Sequence, residues 1–196
     1  MTQKDEQKQK SREAILQSAA TFLRARGIQA SSVADVMQGA GLTVGGFYNH
    51  FASKEELFAT TIRAAASTMW RGLMATATGE SPRERVVSVL SRYLSRTHRD
   101  GPESGCMLPN LAPEVARAGE PYRSVLEQEL GGFVTALADL LEGDPARREK
   151  AAGLIALSYG ALSLSRAVAG TPLSDEFLRA AKKLVQRSLA DEHEQS

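Results

Sequence analysis

Apolar positions in this chain recur at helical spacing almost wherever they can be read. Between residues 11 and 26, Ile15, Leu16, Ala19, Phe22 and Leu23 form one stripe on a helix. Ser11 supplies an N-cap and Gly27 a left-handed stop, so a helix is expected over 11–26, preceded by a mobile polar arm. From Ser32 a second, short helix sets Val33, Val36, Met37 and Ala40 on one face. Gly41 breaks it, Leu42 follows, and Thr43 caps a third helix to about Phe51. Ser53-Lys54-Glu55-Glu56 is a capping box, Ser at N-cap and Glu at N3, opening a long helix to about residue 78.

The punctuation continues in the same style. Ser81-Pro82-Arg83-Glu84 joins a capping box to a proline at N1 and predicts a helix to about His98. Four of the seven prolines (Pro102, Pro109, Pro113, Pro121) fall between 101 and 121, which is expected to hold only short helical turns. Helices follow from Tyr122 to about Glu142, from Asp144-Pro145 to about Ala169, and from a cap at Ser174-Asp175-Glu176 onward. No strand-like alternation of useful length appears. The fold class is all-α: an N-terminal three-helix domain over 1–55 and a C-terminal helical domain over 56–196.

Composition narrows the functional classes. The 196 residues carry 24 Lys+Arg against 23 Asp+Glu, and 42% are apolar, which fits a folded chain with a real core and excludes a strongly basic nucleic-acid coater. A single cysteine excludes an intrachain disulfide and any multi-cysteine metal site. The first twenty residues hold no apolar signal segment, and Ala151 to Ser165 is too short and too rich in Ser and Gly to span a bilayer. A cytoplasmic protein without membrane, metal or cofactor is expected.

Charge balance does not exclude a local DNA reader. Residues 32–51, SVADVMQGAGLTVGGFYNHF, have the form of a helix-turn-helix, with Val33, Val36, Met37, Leu42, Phe47 and Phe51 turned inward. Left outside are Thr43, Val44, Gly46, Tyr48, Asn49 and His50: hydroxyl, phenol, amide and imidazole, with no carboxylate. Gly45 and Gly46 each cost roughly 1 kcal/mol against alanine in a helix. They either admit close approach by another surface or relieve crowding between the second and third helices. Lys54, in the first turn of the next helix, sits where free amides and a positive charge suit a phosphate. Lys8, Lys10 and Arg12 could follow the DNA backbone or enter a minor groove.

The stretch GLTVGGFYNHFASKEELF, with aromatic-Tyr-x-His-Phe followed by Ser-Lys-Glu-Glu-Leu, resembles the TetR/AcrR family of bacterial transcriptional regulators. The resemblance covers residues 11–58. It implies a homodimer that binds a palindromic double-stranded operator and a C-terminal domain that binds an effector. It carries base or backbone contact onto Thr43, Val44, Gly46, Tyr48 and His50, with Asn49 on the same face, and phosphate contact onto Lys54. Val44-Gly45-Gly46 offers few hydrogen-bonding side chains, so shape and thymine methyl contacts gain weight. The family's dimer interface, formed by its last two helices, maps onto about 147–169 and 175–190.

In the remaining helices, Trp70, Tyr93 and Phe133, with Met69 and Met74, are candidate linings of an apolar effector cavity; plain core is the other reading. Cys106, after a glycine in ESGCMLPNLAPEV, resembles the sensing cysteine of N-ethylmaleimide-type repressors and is a candidate for electrophilic effectors; an inert buried thiol is the alternative. The expected function is a repressor released by a small hydrophobic or thiol-reactive effector. Two other classes compete. One is an architectural or activating DNA-binding protein without inducer, which predicts a filled C-terminal core. The other is an enzyme with Cys106 as nucleophile; the three histidines, His50, His98 and His193, form no catalytic arrangement with it in the sequence.

Overall fold

A computed structural model describes residues 2–101 and 105–190; Pro102 and His193 lie outside the described residues. Among the described residues every regular element is helical: α1 Gln3–Arg26, α2 Val33–Gly39, a 3₁₀ helix Val44–Asn49, α3 Lys54–Ala75, α4 Pro82–Tyr93, α5 Arg96–Asp100, α6 Leu108–Ala118, α7 Tyr122–Asp139, α8 Arg147–Ala167 and α9 Pro172–Ala190. No helix among them is long and apolar enough to cross a membrane.

The helices form two compact units. The first comprises Met1–Thr68 with Cys106–Glu129, the second Met69–Gly105 with Leu130–Ser196. In the first, Ile15, Leu23, Val36, Met37, Phe47 and Phe51 are buried where the period places them. The same cluster takes in Leu57, Phe58 and Ile62 from α3, Met107 at the start of α6, and Leu111, Val115, Tyr122 and Val125 from α6 and α7. The core beneath the helix-turn-helix is thus completed by chain from far downstream.

Several expectations are corrected. α1 begins eight residues before Ser11, at Gln3, and there is no mobile arm over its polar part. Thr2 and Asp5 form a reciprocal capping box, and Gln9 bonds to Glu13 one turn on at 2.7 Å. Gln, Lys, Glu and Arg are good helix formers, so this segment is a helix without an apolar stripe. α4 ends at Tyr93, and Ser95 caps the separate α5 by accepting from the His98 amide at 3.1 Å. The 101–121 stretch holds a full helix of 11 residues, α6. Pro109 falls in its first turn, where the missing donor costs nothing, and the exposed Pro113 forfeits one bond while Leu108, Leu111 and Val115 anchor the buried face. Ser174 lies inside α9 rather than capping it, and its hydroxyl donates to the Ser165 carbonyl at 2.6 Å.

Candidate nucleic-acid interface

Ser32 caps α2 by accepting from the Asp35 amide at 3.1 Å. The turn after α2 closes through the Leu42 amide on the Met37 carbonyl at 2.9 Å, with Gly41 at φ +69°, a backbone angle that favours glycine. The expected third helix is a 3₁₀ segment, and Thr43 makes no side-chain capping bond there. Phe47 fixes this segment from below, edge-on to Tyr48 at 5.2 Å and stacked on Phe51 at 6.1 Å. Of the six residues read as outward from the sequence, Thr43, Val44, Tyr48 and Asn49 are exposed, Tyr48 to 77% and Val44 to 51%, whereas Gly46 and His50 are half-buried.

The glycines separate the two readings left open above. A Cβ added to Gly45 meets nothing within 4 Å. On Gly46 its nearest neighbours would be Thr43 Oγ1 at 3.8 Å and Met37 Cε at 4.0 Å, ordinary contact distances. Neither residue has a positive φ. Crowding within the chain therefore does not require glycine at either position.

His50 is half-buried, with its Nδ1 buried and without a hydrogen bond among the described residues. Burial, with Lys8 and Arg12 nearby, lowers its pKa, so the imidazole is neutral near pH 7. Arg12 does not extend freely: it donates to the His50 carbonyl at 2.5 Å and lies 4.1 Å from the centroid of the Phe51 ring. It ties α1 to the end of the 3₁₀ segment. Ser53 caps α3 by accepting from the Glu56 amide at 3.1 Å, and the Glu56 carboxylate takes the Ala52 amide at 2.6 Å. Lys54 then lies over Phe58, with Nζ 5.2 Å from the ring centroid, and has no acid partner among the described residues. The cation is held at the helix start by its own aromatic neighbour.

Two residues that the sequence did not single out grip the far end of α1. The Glu114 carboxylate accepts from the Ile28 amide at 2.5 Å and from the Gln29 amide at 3.2 Å. The Asn110 side-chain amide donates to the Arg24 carbonyl. Both belong to α6, and no local pattern announces partners more than eighty residues away in sequence.

Of the effector candidates, three are brought together in the second unit. Trp70 stacks on Phe133 at 3.9 Å between centroids, 9° from parallel, and on Tyr93 at 5.9 Å. All three are buried. Cys106 belongs to the first unit, buried just before α6, within electrostatic reach of the half-buried Arg24.

Residues 15–61 match the family model for bacterial regulatory proteins of the tetR family. The HTH-type transcriptional repressor NemR of Escherichia coli is 25% identical over 135 residues, 67% of each chain. The HTH-type transcriptional repressor KstR2 of Mycobacterium tuberculosis is 43% identical over 49 residues, 25% of this chain and 24% of that one. The helix-turn-helix segment of this chain, residues 15–61, is that of the tetR family. The chain also superposes on the crystal structure of reduced E. coli NemR with a TM-score of 0.79, covering 90% of this chain and 95% of that one at 23% identity, a likeness of fold. Its all-α architecture, with an N-terminal helix-turn-helix and a C-terminal helical domain, is the TetR-family one.

Proposed function

We propose that this TetR-family regulator is a repressor that binds a palindromic operator as a homodimer and leaves it when an effector binds. Residues 1–55 carry the reading surface and 56–196 the sensing and dimerising one. The observation that carries this reading is the glycine pair: Gly45 and Gly46 accept the cost of poor helix propensity where neither packing nor backbone angle asks for it. Close approach to duplex DNA is the remaining use. Thr43, Val44, Gly46, Tyr48, Asn49 and His50 then face the groove and its edges, and Lys54 a phosphate.

Dimerisation through α8 and α9 rests on what those helices leave uncovered. Five large hydrophobic residues are exposed among the described residues: Val44 and Tyr48 on the reading surface, Leu164 on α8, and Leu173 and Leu184 on α9. On α8, Gly153 and Gly160 have open space where a Cβ would project, as a closely approaching second helix requires.

Release by electrophiles would pass through Cys106. Addition of its thiolate to an activated alkene forms an S–C bond, with a proton taken up at the adjacent carbon. The adduct needs room that a buried thiol lacks, so α6 must shift, and with it the grip of Asn110 and Glu114 on α1. The relatives NemR and KstR2 carry the name repressor, which supports the sign of regulation.

One observation favours the second reading, an inducer-independent architectural or activating protein: Trp70, Tyr93 and Phe133 fill one another's space instead of lining a void. Selection of bound sites from random DNA, followed by a screen for compounds that dissociate the best site, decides between them. An inverted repeat released by a compound is expected. Absence of any preferred repeat overturns both readings; a repeat that no compound releases leaves the second.

A further inference from the structure

An open cavity of about 600 Å³ lies in the second unit beside the stacked aromatics, joined to them by Tyr93, whose ring centroid is 4.8 Å from that of His98. Its volume is that of a small-molecule site. Met69 and Leu73 of α3 give it an apolar wall, and Arg92, Ser95, Thr97 and His98 a polar one. Among the described residues no carboxylate lines it.

The neighbouring arginines are already committed. Arg96 and Arg99 pair with Asp175 at 2.5 and 2.7 Å, and Arg166 donates to the His98 carbonyl at 2.8 Å. Asp100 is held by Arg99 at 2.6 Å. Arg92 is exposed and makes no ion pair among the described residues. Ser95 accepts from the His98 amide at 3.1 Å, which leaves its own O–H to donate. A larger cavity, about 690 Å³, differs in kind: Glu142 and Asp144 line it, and its Lys150 is paired with Asp144 at 2.7 Å.

We infer that the cavity beside Arg92 is the effector site, and that it takes a small monocarboxylate with an apolar body. The carboxylate meets the Arg92 guanidinium and the Ser95 and Thr97 hydroxyls, and the hydrocarbon lies on Met69 and Leu73. A guanidinium with no acid partner among the described residues, flanked by hydroxyl donors, selects an anion over its neutral isostere. This inference deepens the effector-responsive reading and rests on it.

Trp70 is the sole tryptophan and adjoins Met69 in α3, so its emission reports on this cavity. The full chain is titrated with 4-phenylbutyrate, 4-phenylbutanamide and 4-phenylbutylamine, read by Trp70 emission and by calorimetry. The carboxylate is expected to saturate, the amide to bind at least tenfold more weakly and the amine not at all. Arg92→Gln, on an exposed helical position, is expected to melt as the parent does and to weaken the carboxylate at least tenfold while leaving the amide unchanged. Equal affinity for carboxylate and amide, an unchanged carboxylate affinity in Arg92→Gln, or no binding by any of the three overturns the inference. Binding without release of the selected operator leaves the site standing and removes its regulatory role.

Discussion

The Glu114 carboxylate occupies the space that a side chain on Gly27 would need: a Cβ there would lie 2.1 Å from Oε1. Gly27 also has φ +77°, so two independent constraints act on one residue. The bare backbone at the end of α1 lets an acid from α6 reach the Ile28 and Gln29 amides. Gly27→Ala is expected to cost about 2–4 kcal/mol, from backbone strain and loss of these charge-assisted bonds. In a Glu114→Ala background the same change is expected to cost less, because the clash has gone. Equal costs in the two backgrounds, measured by thermal melting, would mean that the residues do not interact.

Replacing a reading-surface glycine by alanine is expected to move stability and function in opposite directions. Gly45→Ala meets open space and gains helix propensity, about 0.5–1 kcal/mol of stability. Operator affinity is expected to fall at least tenfold, because the added methyl occupies the approach to the groove. A stabilised variant that binds DNA as the parent does in a gel shift contradicts the assigned surface.

Lys54→Ala is expected to weaken binding to all DNA sequences by a similar factor. The slope of log affinity against log salt should fall in magnitude by about one, as for the loss of a single phosphate contact. Loss confined to the best sequence would make Lys54 a base reader instead.

Burial, with the Arg166 guanidinium nearby, pushes the His98 imidazole down to about 4. The folded chain therefore holds it neutral, while the unfolded chain takes up a proton as pH falls below about 6.5. His98 costs no stability above that pH. As the pH drops from about 6.5 to about 4 the fold loses on the order of 2 kcal/mol, allowing for the partial exposure of the ring, and no more below. The difference in melting temperature between the parent and His98→Asn should change across that window and be flat outside it.

Leu164→Glu and Leu184→Glu each place a charge on an exposed apolar position of α8 or α9. Both are expected to leave helical content unchanged and to halve the mass measured by light scattering at micromolar concentration. An unchanged mass locates the dimer contact elsewhere.

How much of the structure is legible in the sequence depends on distance along the chain. The buried faces of α1, α2 and the 3₁₀ segment follow from local period, and Val36, Phe47 and Phe51 are where it puts them. The first turns of α1 escaped, because a helix made of Gln, Lys and Glu carries no stripe. α6 was obscured by its prolines, since their number says nothing of whether each falls in a first turn or on an exposed face. The exposure of Thr43, Val44, Tyr48 and Asn49 is legible because the turn fixes their orientation, whereas the half-burial of His50 follows from its packing beside α1. Arg12, Asn110 and Glu114 are not legible, since their partners lie 38 to 86 positions away and only tertiary packing pairs them. Trp70, Tyr93 and Phe133 read equally as cavity wall or as plain core; that their rings stack on one another is beyond a count of residues.

The hydrophobic floor under the reading head includes Met107, Leu111 and Val115. Transplanting the first seventy residues onto a relative would graft them over foreign side chains. A working chimera of two such regulators must carry α6 along with its head, so the modular unit for engineering is discontinuous: two stretches of chain inherited together.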